Sequence, residues 1–335
     1  MTVDSAGADP APAPSGSWWA GPWGSAARVL VMALPVAWLA RRVSAREVLA
    51  EARAVGLVPL TVALGCLLGA LAVGCVRWRV LLGAYGPGPL PGYGALFRHY
   101  LVGQYFSLLP TGLAGDAVRG ARVRRAAGSL AASYTVLFIE RLTGLFGLCA
   151  IAGAAMVGTP GLRADLVLRA FDLAVLGALG LALLAFVAPY LLTRLPTWRK
   201  LLARVPVAGA LLLRIPAARR PGRALLALPL SVLAQGALVA AMAALLAPLA
   251  PEATLAVCAR VVPAIVLFTY LPVTPGGVGQ REVVAVHLFA LARVPPSAAT
   301  ATSLLLFALF LVLGALGALC LLLERVFGWE RDGAV

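Results

Sequence analysis

Two stretches decide how this chain is read: RHYLVGQYFSLLPTGLAGDAVR at residues 98–119 and RVVPAIVLFTYLPVTPGGVGQR at residues 260–281. Written one above the other, they lie at an offset of 162 residues, from Arg98 to Arg260. Arg98 meets Arg260, Phe106 meets Phe268, and Leu109-Pro110 meets Leu271-Pro272. Gly115 then meets Gly277 and Arg119 meets Arg281, six identities in 22 positions without a gap. The shared frame is F-x2-L-P-x4-G-x3-R. Pro110, with Gly112 and Gly115, breaks the first apolar run. Pro272, with Pro275, Gly276, Gly277 and Gly279, breaks the second. Proline removes a backbone donor and glycine loosens a helix. A broken backbone at membrane depth survives only inside protein or beside water. Broken helices at matching places in two halves point to a transport site. Each copy therefore reads as a re-entrant pair of half-helices, with a proline-kinked full span as the competing reading.

The surroundings of the repeat place it in a bilayer. Of 335 residues, 61% are hydrophobic and 12% charged, with a mean hydropathy of +0.95. Soluble domains carry roughly 25% charged residues. These values exclude a soluble enzyme with one core and a disordered chain, and leave a polytopic all-α membrane protein. The net charge is +15, and 27 of the 28 basic residues are arginine. In a membrane chain such an excess follows from basic cytoplasmic loops and anionic headgroups, so nucleic acid is not expected as a partner.

Working outward, residues 1–23 read as a disordered Pro/Ala/Gly-rich tail, 24–325 as one transmembrane domain and 326–335 as a short tail. Trp18, Trp19 and Trp23 suit a headgroup interface. Spans are expected at 24–40, 54–76, within 126–162, at 173–193, 224–251 and 294–323, with a short interfacial helix at 41–53. Gly65 and Gly69 form a GxxxG that permits close helix contact. Arg77-Trp78-Arg79 reads as an interface anchor ending the second span, and 80–97 as a loop. The segment 194–223 carries eight basic residues and no acid, and is placed in the cytoplasm. If neither broken element crosses, three spans separate them and they enter from opposite faces as an inverted repeat. Cys66, Cys75, Cys149, Cys258 and Cys320 form no CxxC and read as packing residues.

Charges inside the apolar runs supply the site candidates. Glu140-Arg141 follows 14 uncharged residues and precedes 21 more. An ionisable group at that depth marks function by default. Arg119 follows the first broken element and Arg281-Glu282 the second. A guanidinium suits bidentate binding of phosphate, so Arg119, Arg281 and Arg141 are expected to grip a lipid phosphate. Asp116, Glu140 and Glu282 would balance them or receive a cationic group, and Glu140 is the candidate for proton coupling. The sequence implies no catalytic constellation, no metal and no cofactor. An embedded lipid transferase or hydrolase using Glu140 or Asp116 as base is the rival reading, and a non-transporting envelope scaffold a third.

Taken together these motifs resemble a family. Gly103-Gln104-Tyr105-Phe106 through Leu109-Pro110, then Ala114-Gly115-Asp116 and Arg119, looks like its first motif. Glu140-Arg141-Leu142 resembles its second and Pro275-Gly276-Gly277-Val278-Gly279-Gln280-Arg281-Glu282 its third; Arg77-Trp78-Arg79 with Leu81-Leu82 also fits. The family is the lysylphosphatidylglycerol synthase transmembrane region, or flippase-like domain, and the likeness covers about residues 27–325. Ala114 stands where the family usually has glycine. The resemblance implies movement of an aminoacyl-phospholipid or a polyprenyl-phosphate-linked lipid across a bacterial inner membrane, with Gln104 among the binding residues. Aminoacyl transfer belongs to a soluble domain that the chain to Val335 does not show. Membrane lipids are the expected partners, a separate lipid-synthesising enzyme is a further candidate, and the oligomeric state is open.

Overall fold

The structure, a computed structural model, describes residues 43–108, 114–159, 171–180, 218–269 and 279–327, with positions 41, 169, 183, 184 and 197. The expected first span, the tryptophan cluster, most of 194–223, and Pro110, Gly112, Pro272, Pro275, Gly276 and Gly277 lie outside the described residues. Among the described residues every regular element is a helix.

The short amphipathic α1 (Ala45–Ala54) leads into α2 (Leu57–Tyr85). A broken pair follows, α3 (Tyr93–Ser107) and α4 (Ala114–Arg122), then the single turn α5 (Arg124–Ala127) and the long α6 (Leu130–Gly158). The described part of the next apolar run is α7 (Phe171–Gly180). The second half contains α8 (Pro221–Leu225), α9 (Ala227–Leu246), a second broken pair α10 (Leu255–Thr269) and α11 (Gln280–Ala290), and α12 (Pro296–Phe327).

Four of these are long and apolar enough to cross a bilayer: α2, α6, α8 with α9 as Pro221–Leu246, and α12. They hold 26 to 32 residues. At ~1.5 Å per residue even the shortest exceeds the ~30 Å hydrocarbon core. The molecule is a multi-pass helical membrane protein.

Local chemistry sets several of the breaks. Gly128, at φ 93, ends α5 in a left-handed conformation that suits glycine, and the Ser129 hydroxyl caps α6 by accepting from the Ala132 amide at 3.1 Å. Gly279, at φ 78, opens α11, and its amide donates to Glu282 Oε2 at 2.8 Å.

One expected boundary is corrected. The second span does not end at Arg77-Trp78-Arg79, because α2 runs nine residues further than expected, to Tyr85. Trp78 is fully buried and Arg77 nearly so. The arginine stays inside the bundle because a carboxylate from α6 neutralises it. The loop expected over 80–97 therefore shrinks to 86–92. The GxxxG contact is also absent among the described residues: a Cβ added at Gly65 or Gly69 would meet nothing within 4 Å.

The helix boundaries follow the sequence offset. Moved by 162 residues, α3 coincides with α10 at both ends, α2 falls over Pro221–Leu246, and α6 over most of α12. Packing is exchanged between the halves. α3 rests on α12, its counterpart α10 rests on α6, and α2 and α9 pack against each other. The larger apolar core joins α2, α9, α10, α11 and α12. A second, around Trp78, Leu81, Leu96 and Ile139, joins α2, α3 and α6.

Candidate functional site: a buried charge network beside a cavity

Glu140 sits on the inner face of α6 with only 3% of its surface exposed. Removing a lone carboxylate from water that completely is prohibitive, so it must be paired. Three donors converge on it. Arg77 Nη2 of α2 lies 3.0 Å from Oε1, Arg119 Nη2 of α4 lies 2.6 Å from Oε2, and the Tyr100 hydroxyl of α3 donates to Oε1 at 3.0 Å. Arg77 Nη1 also donates to Ser231 Oγ on α9 at 3.1 Å. One carboxylate thereby ties α2, α3, α4 and α6 together directly, and α9 through Arg77.

Arg119 is further held by π-faces. Its guanidinium carbon lies 3.9 Å from the Tyr100 ring centre and 4.5 Å from that of Trp78. Such stacking suits a desolvated guanidinium. The backbone opens the space for it: a Cβ at Gly103 would lie 2.6 Å from Arg119 Cδ, and one at Gly115 2.4 Å from the Gly103 carbonyl. α3 and α4 thus pack side by side at Gly103 and Gly115. Asp116 bridges outward, 3.5 Å from Arg119 Nη1 and 2.6 Å from Arg141 Nε.

Arg281 and Glu282 stand apart from this network. Both Nε and Nη2 of Arg281 reach Glu282 Oε1, at 3.1 and 2.8 Å, and Nε also donates to Ser303 Oγ of α12 at 3.0 Å. The offset carries Glu140-Arg141 onto Thr302-Ser303, so the hydroxyl that meets Arg281 stands one residue beyond the counterpart of Glu140.

Arg281 lines a cavity of about 270 Å3. Its polar wall is Gln104, Ser107, Thr269 and Arg281, and its apolar wall includes Met242, Ile265 and Phe310. A neighbouring cavity of about 260 Å3 brings in Arg77, Tyr100 and Gln235. Gln104, Leu238, Val266 and Phe310 line both. Among the described residues no carboxylate lines either one. Arg119, Asp116, Glu140, Arg141 and Glu282 lie outside the linings of both.

Sequence reasoning missed Arg77, Trp78 and Tyr100 as parts of the site. The signal for Arg77 was present: Val80-Leu81-Leu82 continue the apolar run after it, which an interface anchor would end. Tyr100 carried none, because its role depends on where α3 meets α6. Arg141 pairs with Asp116 and not with Glu140, because consecutive helical residues point to different faces. Among the described residues no three His, Cys, Asp or Glu groups stand together to hold a metal.

A multi-pass bundle with a buried charge network and an arginine-lined cavity defines a class: helical membrane proteins with a polar interior. The profile of the family described as the lysylphosphatidylglycerol synthase TM region matches residues 25–322, and the chain belongs to that family. No curated protein sequence matches it.

Proposed function

We propose that the protein is a lipid translocase that holds the phosphate of an anionic or zwitterionic headgroup in the Arg281 cavity while the lipid changes leaflet. The observation that carries this reading is a guanidinium on the wall of an otherwise largely apolar cavity, with its partner Glu282 outside the lining. Gln104, Ser107 and Thr269 supply further hydrogen-bonding groups. The adjoining cavity offers Arg77 on the far side of Gln104. The family supports a lipid as substrate, with aminoacyl-phospholipids and polyprenyl-phosphate lipids as the candidate classes. In this reading the broken pairs are hairpins entering from opposite faces of a bacterial inner membrane. Segment 194–223 is cytoplasmic, and a separate lipid-synthesising enzyme supplies the substrate.

Reconstitution tests it. Vesicles holding the purified protein should exchange headgroup-labelled phospholipid between leaflets without forming a new lipid species. Arg281→Ala should slow exchange at least tenfold. Arg281→Lys should recover only part, because an ammonium lacks the planar fork. Arg124→Ala, on the exposed turn α5, should change little. A new lipid species would replace this reading with an enzymatic one, and full exchange by Arg281→Ala would remove Arg281 from the site.

A further inference from the structure

One charge of the network stands on the outside of the bundle. Arg141 is the twelfth of 29 residues in α6, about 16 Å from one end of the helix and about 25 Å from the other. Its side chain is 45% exposed. Tyr134 and Phe138, seven and three residues before it and so on the same helix face, are also exposed, at 40% and 41%. An apolar stripe on a spanning helix faces lipid, and this stripe holds an arginine near mid-membrane.

The guanidinium is only half used. Nε and Nη2 meet the same Asp116 oxygen, Oδ2, and among the described residues Nη1 meets no acceptor. Behind this pair the charges alternate inward: Arg141, Asp116, Arg119, Glu140 and Arg77, the last lining an inner cavity. Three cations against two anions leave one positive charge in surplus. A phosphodiester carries one negative charge and offers the oxygen pair a guanidinium edge binds.

We propose that the α4–α6 face carries a second, lipid-side headgroup site, in which Arg141 beside Asp116 takes the phosphate of a phospholipid at mid-membrane. The acyl chains stay in the bilayer against the Tyr134–Phe138 stripe. The proposal rests on the lipid reading above, but requires binding only and no transport.

A fluorescent amino acid at position 138 reports on it. The full chain is placed in phosphatidylglycerol/phosphatidylcholine vesicles carrying a nitroxide either on the headgroup or at the acyl-chain end. Ordinary bilayer lipid keeps its headgroup nitroxide far from position 138. At the site, the headgroup nitroxide should quench position 138 at least half as well as it quenches position 57, at the start of α2. Arg141→Gln should cut that quenching at least fivefold and Arg141→Lys should keep part of it. Quenching at position 57, and chain-end quenching at position 138, should persist in every variant and so report a folded, inserted protein. Equal headgroup quenching in the native chain and Arg141→Gln, or none in the native chain, overturns the proposal. So does absence of chain-end quenching in the native chain, which would mean that a second copy covers the face. Quenching without leaflet exchange would sink the translocase reading and keep this site; exchange without quenching would do the reverse.

Discussion

Glu140 is the residue on which the charge network depends, because it accepts from two arginines and a tyrosine drawn from three different helices. Taking away one partner of a buried pair leaves the other charge unmatched, at a cost of typically ~3–5 kcal/mol. Here one change strands two guanidiniums, Arg77 and Arg119, although Asp116 still holds the second. Glu140→Gln should therefore lower the thermal unfolding midpoint of the detergent-solubilised protein far more than Arg124→Gln on exposed α5. Equal, small shifts from the two would place Glu140 outside the bundle. The site was legible in part at this scale. Glu140 and Arg119 announce themselves as charges in apolar surroundings. Arg77 was hidden by its neighbours, since Arg-Trp-Arg at the end of an uncharged run has the composition of a headgroup anchor.

At the scale of elements, the close contacts are made by glycines that the GxxxG spacing does not pick out. α3 meets α12 where a Cβ on Gly317 would lie 2.0 Å from the Leu101 carbonyl. Backbone cannot yield as a flexible side chain can, so Gly317→Ala should destabilise by ~1–3 kcal/mol, as overpacking does. Gly69→Ala places its methyl in open space and should cause no loss, since alanine favours helix over glycine. Parallel thermal unfolding of the two variants checks both, and a neutral Gly317→Ala would mean that α3 and α12 stand further apart. Of the repeat, the sequence comparison caught the broken pairs, where Pro, Gly and Arg recur. It missed the spanning helices, where many apolar residues are interchangeable and only helix boundaries and packing partners keep the record. Thr302-Ser303 at the place of Glu140-Arg141 shows how the halves diverged. Arg119 is enclosed by Glu140, Asp116 and two rings, whereas Arg281, paired with Glu282, also lines a cavity.

For the whole molecule, the topology turns on whether the broken pairs cross the membrane. If they do not, and 166–193 spans, α6 and α12 run antiparallel and their C-terminal ends lie on opposite faces. If both cross, the ends lie on the same face. Single cysteines at Gly158 and Val326, in a background without native cysteines, should react with a membrane-impermeant thiol reagent from opposite sides. Labelling of both from one side would overturn the inverted arrangement.

The amino-acid sequence alone determined that the chain lives in a bilayer, that its regular elements among the described residues are helices, and that one motif frame recurs at an offset of 162 residues. Those properties follow from local quantities: hydropathy summed over a span, and the backbone limits of Pro and Gly. Which charge meets which was decided only by tertiary structure. Arg119 and Arg281 are equivalent in the repeat, yet one is locked between Trp78, Tyr100 and Glu140 while the other faces a cavity. Arg141 and Glu140 are neighbours in the chain, yet one lies exposed on the outside of the bundle and the other points to the core. A buried ion pair is selected by the helices that meet around it, and partners 40 and 63 residues away in sequence, Tyr100 and Arg77 for Glu140, carry no local mark of that meeting. The low dielectric of the interior then makes each such pairing obligatory, because any charge left unmatched there would destabilise the fold.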